Sequence, residues 1–202
     1  MSAPAPSRSF CGLRHGATDW NRRGLFQGRT DNPLNEDGLA QAHEAASMLR
    51  GVGISRIVAS PLVRAARTAE IIADAISVPL TIDDGIIEFD FGSFEGLPVR
   101  DLMLKHGVNS ATGLVSILPA DGENWDAMTE RSLACVSTWL DNYLDDHLLF
   151  VCHDAVMQAW RSHFPAAISR TATARRFATS ANATNGVSSK SSLRTNVTGP
   201  CR

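Results

Sequence analysis

Two histidines in this chain directly follow short apolar runs. His15 ends the stretch FCGLRH, between Arg14 and Gly16, and His153 ends HLLFVCH. A permanent cation beside a titratable imidazole, at the point where a strand should stop, suits attack on an anionic centre. Arg64 falls in the first turn after a second apolar run, and Glu88 falls in a loop after a third. Two histidines, two arginines and one carboxylate suit phosphoryl transfer. Arginine offers phosphate oxygens a planar fork of donors. A neutral imidazole nitrogen can attack phosphorus, positive groups stabilise the equatorial oxygens, and a carboxylic acid can protonate the departing alcohol. Gly16 is expected to let the backbone approach the phosphate.

Each residue alone has a plainer reading. An isolated Arg-His-Gly occurs by chance, and His153 by itself reads as a satisfied core histidine. Arg64 and Arg67 read as a solvated helix face, and Glu88 as a surface acid. The combination becomes meaningful only if one architecture gathers these groups.

The periodicity supplies that architecture. Residues 8–14 read as a first strand, and 24–35 as a turn-rich loop. Asn35 can cap a helix in which Leu39, Ala42, Ala46 and Leu49 recur at helical spacing up to Gly51. Residues 54–59 form a second short strand. Ser60-Pro61 then reads as N-cap and first helical residue, with Leu62, Ala65, Ala69 and Ile72 on one face of the helix that follows. Residues 79–82 form a third strand, 99–106 and 121–144 hold helices, and 147–152 form a continuous apolar strand. Strands alternating with helices predict a mostly parallel sheet covered on both faces, a three-layer α/β/α sandwich. Ligands of such sheets bind beyond the carboxyl ends of the strands, where His15 and His153 would meet despite lying 138 positions apart.

Charge divides the chain. Residues 1–160 hold all 21 acidic residues and 12 of the 19 Lys/Arg; residues 161–202 hold seven Lys/Arg, no acid, and 16 Ser, Thr or Asn. We therefore expect an α/β domain over 1–160 and a basic tail over 161–202 that is disordered or aberrant, since its composition buries too little apolar surface to offset chain entropy. The acidic core argues against a nucleic-acid partner. No apolar run approaches membrane-span length, and the first ten residues have no signal-peptide core, so a cytoplasmic protein is expected. Cys11, Cys135, Cys152 and Cys201 show no metal-site spacing and read as thiols.

Five motifs, in order over residues 8–160, resemble the histidine phosphatase superfamily, also called the phosphoglycerate mutase-like family. They are LRHGATDWN, LFQGRTDNPLNEDG, SPLVRAARTAEII, IIEFDFGSFEG and VCHDAV. The resemblance implies His15 as the phosphorylated nucleophile, with Arg14, Arg64 and His153 completing the phosphate pocket. It implies Glu88 as proton donor and places Asn21 and Gly28 where the family contacts phosphate or substrate. It implies no metal or other cofactor and a small phosphorylated substrate.

The chain departs from the pattern in places. Asn35 stands where Thr is usual, and GEN at 122–124 stands where Gly-Glu-Ser is frequent. Asp154 replaces the commoner Gly after the second histidine, putting a negative charge beside an anion site; it is expected to narrow substrate choice or to hold His153. After Ala159 the family continues with a helix, a linker and a further strand, whereas this chain turns polar and basic. The missing strand would expose a sheet edge, which favours self-association; a homodimer is one such form. Only 27 residues separate Glu95 from Glu123, and FQG replaces the Phe-Thr-Gly of the mutase loop. Both favour a phosphomonoester hydrolase over a mutase, which must shelter its phosphohistidine from water. A weak or inactive phospho-ligand-binding relative is the alternative of another class.

Overall fold

A computed structural model of the protein describes residues 10–164. The basic tail expected from residue 161 falls almost wholly outside them.

Four parallel strands make the sheet, β1 (Cys11–Arg14), β2 (Arg56–Ala59), β3 (Leu80–Ile82) and β4 (Leu148–Cys152), in the order β1-β4-β2-β3. Side chains of a strand alternate between faces, and here both faces are apolar. Phe10, Val58, Leu148, Phe150 and Cys152 point into one core; Cys11, Leu13, Ile57, Ala59, Leu149 and Val151 point into the other. The second core is closed by α2 (Glu36–Leu49) and α3 (Val63–Ile76), the first by α6 (Trp125–Asn142) and α7 (Asp154–His163). This is the expected three-layer sandwich. Short helices α1 (Asp19–Arg23), α4 (Val99–Lys105) and α5 (Ala111–Leu114) lie in the connections. Among the described residues, β1 and β3 are the sheet edges.

Helices α2 and α4 begin where the sequence suggests, whereas α1, α5 and α7 lie where it suggests no helix. Asn35 Oδ1 accepts the Gly38 N–H at 2.9 Å, with Glu36 and Asp37 in the first turn of α2 favouring its positive end. Asn124 caps α6 in the same way. Within α2, Ala42, Ala45, Ala46 and Leu49 are buried, whereas Leu39, expected on the same face, is 37% exposed. It lies in the first turn, before the helix reaches the sheet.

The start of α3 corrects the sequence reading. Ser60 and Pro61 precede the helix, Leu62 is its N-cap residue, and Leu62 offers no capping side chain. The Val63 N–H is instead taken by Asp31 Oδ1, 2.7 Å away, from the loop before α2. Ser60 Oγ accepts the Leu62 N–H at 3.4 Å, just before the helix, and also faces His153 in the site.

Cys11, Cys135 and Cys152 are buried and form no disulfide; Cys201 lies outside the described residues. Among those residues no helix is long and apolar enough to cross a membrane.

Candidate active site

The sheet register brings the two histidines together. Because β4 lies between β1 and β2, Arg14 pairs with Cys152 and Ala59 with Val151. The next residue of each strand therefore emerges at one edge: His15, His153 and Ser60. The His15 N–H donates to Cys152 O at 3.1 Å, and the Ser60 N–H to Val151 O at 3.0 Å. The imidazole centroids are 5.1 Å apart, and both rings are buried.

The partners of His15 fix its tautomer. Nδ1 lies 2.7 Å from the Gly16 carbonyl, which can only accept, so Nδ1 carries the proton. Arg64 Nε–H, which can only donate, points at Nε2 from 3.3 Å. Nε2 is thus the unprotonated nitrogen of a neutral ring, with its lone pair accepting from Arg64. Burial, then the charges of Arg14 and Arg64, push its pKa well below the usual 6.5 against the opposing Gly16 hydrogen bond, so the ring stays neutral at physiological pH.

Arg64 is fully buried at the bottom of the site. Its Nη1 donates to Thr30 O at 3.0 Å and its Nη2 to Gly28 O at 2.7 Å. Three of its five N–H groups are so engaged and two remain. A buried guanidinium held this way resists displacement, because loss of any partner leaves a charge uncompensated. One turn along α3, Thr68 accepts the Gly16 N–H at 3.1 Å and donates to Arg64 O at 2.7 Å, tying the loop after His15 to the helix.

Glu88 is buried at the third side of the site. Burial raises its pKa above 4.5, outweighing the Phe89 N–H it accepts at 2.9 Å and the charge of Arg64; Asp154 adds to the rise. Its loop is pinned from behind by Arg131, which donates to Gly85 O and Glu88 O and forms a paired contact with Glu123.

These groups open onto a cavity of about 210 Å³ lined by Arg14, His15, Asn21, Gly28, Arg64 and Glu88 among others. Six of the seven residues singled out from sequence therefore face one space. His153 does not line it. It sits behind His15, with Nε2 against Ser60 Oγ at 2.6 Å and its buried Nδ1 without a hydrogen-bond partner. Burial first, then the neighbouring His15 ring and the charges of Arg64, Arg14 and Arg131, lowers its pKa well below 6.5.

Several assignments change meaning. Asn21 Oδ1 accepts the Thr18 N–H in a capping box of α1, leaving the amide NH2 as the half that can reach a ligand. Gly28 has φ +54°, and a Cβ there would fall 1.9 Å from Glu95 Oε1. Glu95 in turn collects the Arg29 and Thr30 N–H groups and the Thr30 hydroxyl, so it shapes the loop. The expectation that Gly16 makes room for phosphate gives way to a packing reason: a Cβ there would meet the Gly38 carbonyl oxygen at 2.4 Å. Asp154 pairs with Arg14 at 3.6 Å and not with His153.

Sequence reading passed over Gln27, Gln158, Thr68 and Arg131. Gln27 is buried, lines the cavity and accepts the Thr18 hydroxyl at 2.8 Å. Thr68 carried a legible signal, since it lies four residues from Arg64 on one helix face. Arg131 carried none.

A sequence model of the histidine phosphatase superfamily (branch 1) matches residues 11–186. The chain is 34% identical over 151 residues to an uncharacterized phosphatase, PhoE, of Bacillus subtilis, covering 75% of this chain and 74% of that one. It is also 34% identical over 147 residues to the probable phosphoglycerate mutase GpmB of Yersinia pestis, covering 70% and 67%. The fold superposes on a mycobacterial glucosyl-3-phosphoglycerate phosphatase solved with vanadate, with TM-score 0.66, 26% identity, and 75% and 78% of the two chains covered.

Proposed function

Because the chain belongs to the histidine phosphatase superfamily, we propose that it hydrolyses small phosphate monoesters through a phosphohistidine on His15. The observation that carries this reading is the enforced tautomer of His15, whose lone pair at Nε2 faces Arg64 in a cavity that also holds Glu88, whose pKa burial raises.

In the first half-reaction Nε2 attacks phosphorus, the N–P bond forms and the ester P–O bond breaks. The leaving alkoxide takes the proton of the Glu88 carboxyl. In the second, the Glu88 carboxylate accepts a proton from water as the water oxygen attacks phosphorus; the N–P bond breaks and the lone pair returns to Nε2. Arg64 contributes its two uncommitted N–H groups to the equatorial oxygens, and Arg14 a cation at the rim. The Arg14–Asp154 contact is partly exposed and worth at most about 1 kcal/mol, so a phosphate dianion can compete for Arg14. His153, held neutral, sits behind the His15 ring and backs it. The arginines supply the positive charge that a metal would otherwise provide, so the reaction is expected to proceed without one.

Turnover of p-nitrophenyl phosphate after exhaustive chelation tests the proposal. His15→Ala should abolish both turnover and incorporation of acid-labile phosphate. Turnover near wild type in that variant would rule the chemistry out. The likeness to a probable phosphoglycerate mutase favours mutase-type transfer as the second reading. Accumulation of 2-phosphoglycerate from 3-phosphoglycerate, faster than release of inorganic phosphate, would select it.

A further inference from the structure

Away from His15 the cavity changes character. Its remaining wall is apolar, with Phe26, Phe91, Leu114, Val115, Leu118 and Trp125 in it. The aromatic members are braced: Phe26 and Phe91 lie 4.7 Å apart, and buried Phe89 contacts both Phe91 and Trp125 at 5.0 and 5.8 Å. The polar groups on this side are neutral amides, Gln27 and Gln158. The lining contains two arginines, and both serve the phosphate end: Arg64 is locked to His15, Gly28 and Thr30, and Arg14 faces Asp154. A second anion on the substrate would find no cation left to meet it, and would find the Asp154 carboxylate at the rim.

We propose that the leaving-group side of this site selects alcohols that are apolar and carry no negative charge, and that Asp154 enforces the choice by repelling a second anion. The phosphate's placement rests on the hydrolase reading above. Asp154 begins α7 directly after His153, with its side chain 59% exposed and 3.6 Å from Arg14. A carboxylate there does two things. It occupies the rim cation Arg14, which could otherwise bridge to a substrate carboxylate, and it adds a negative charge to the cavity lining that a second anion must pass. The proposal sets this chain apart from the relatives whose names include phosphoglycerate, an alcohol portion that itself bears a carboxylate.

The test compares phenyl phosphate with 4-carboxyphenyl phosphate, which share a ring and differ by one charge. The wild-type protein should favour the uncharged ester in kcat/KM by about tenfold, and Asp154→Asn should narrow that ratio by about fivefold, the scale of a like-charge contact at a partly exposed site. Asp154→Gly provides a second variant that does not depend on the amide. Calorimetric titration with phenylphosphonate and 4-carboxyphenylphosphonate reads the same preference without chemistry. A preference seen in binding while both esters go unhydrolysed would refute the hydrolase reading and leave this inference standing. Equal affinity and turnover for the charged and uncharged members, or a ratio unmoved in both Asp154 variants, would overturn it.

Discussion

Arg64 Nε lies 3.3 Å from His15 Nε2, donor to lone pair, inside a core where both residues are almost inaccessible to water. The contact does two jobs. It keeps Nε2 unprotonated, and under the proposed reaction it places the guanidinium where the phosphoryl group would arrive. The ring is therefore set before substrate enters, and the cost of orienting it has been met in folding. The same contact explains why His15 needs no carboxylate partner: Gly16 O accepts from Nδ1 and does the orienting.

Glu88 should act as the leaving-group acid. Its raised pKa keeps the proton on at a pH where an exposed carboxylate has lost it. Glu88→Gln is expected to slow an alkyl phosphate by about 10²–10⁴-fold, the usual worth of a positioned general acid. An activated aryl phosphate should lose far less. In wild type the alkaline fall of kcat/KM on the alkyl substrate should follow Glu88 deprotonation, and the variant should lack it. Equal losses on both substrates would point to another acid.

Stability should decline as the solution is acidified below about pH 6.5. His15 and His153 have folded-state pKa values well below 6.5, the value they regain on unfolding. In that window the unfolded chain binds protons that the folded chain refuses, so stability rises with pH up to about 6.5 and is lost below it. Glu88 works the other way, costing stability as pH rises past 4.5 toward its raised value. Urea midpoints between pH 5 and 7 would be compared for wild type and a His15→Asn/His153→Asn double variant. An unchanged slope in the double variant would mean that other groups carry the effect.

Gly16→Ala should destabilise the fold. The added Cβ would press on backbone, the Gly38 carbonyl, and Gly38 is itself wedged against Ala17. Neither side can swing away as a side chain could. Overpacking of this kind costs about 1–3 kcal/mol, measurable as a shift in urea midpoint. A variant as stable as wild type would show that the start of α2 can slide.

The sequence by itself carried the alternation of strands and helices, the strand ends that bear His15 and His153, and the turn of α3 that bears Arg64. These are local matters of periodicity, and a side chain at the carboxyl end of a parallel strand has few places to go. Asn35 as a cap was legible for the same reason, since its partner lies three residues away. What the sequence could not decide depended on distant partners. Glu88, Asp90 and Glu95 look alike in one loop; only folding buries Glu88 in the cavity, gives Asp90 to Arg29, and turns Glu95 onto backbone N–H groups of residues 29 and 30. Asp31 caps a helix 32 positions on, and Ser60, which looked like that cap, accepts the Leu62 N–H just before the helix and faces His153. The tautomer of His15 and the pairing of Asp154 with Arg14 likewise exist only once β4 has inserted between β1 and β2. Hydrogen bonds and charges act over a few ångströms, so the choice among equivalent side chains belongs to the neighbours that the tertiary fold brings within reach.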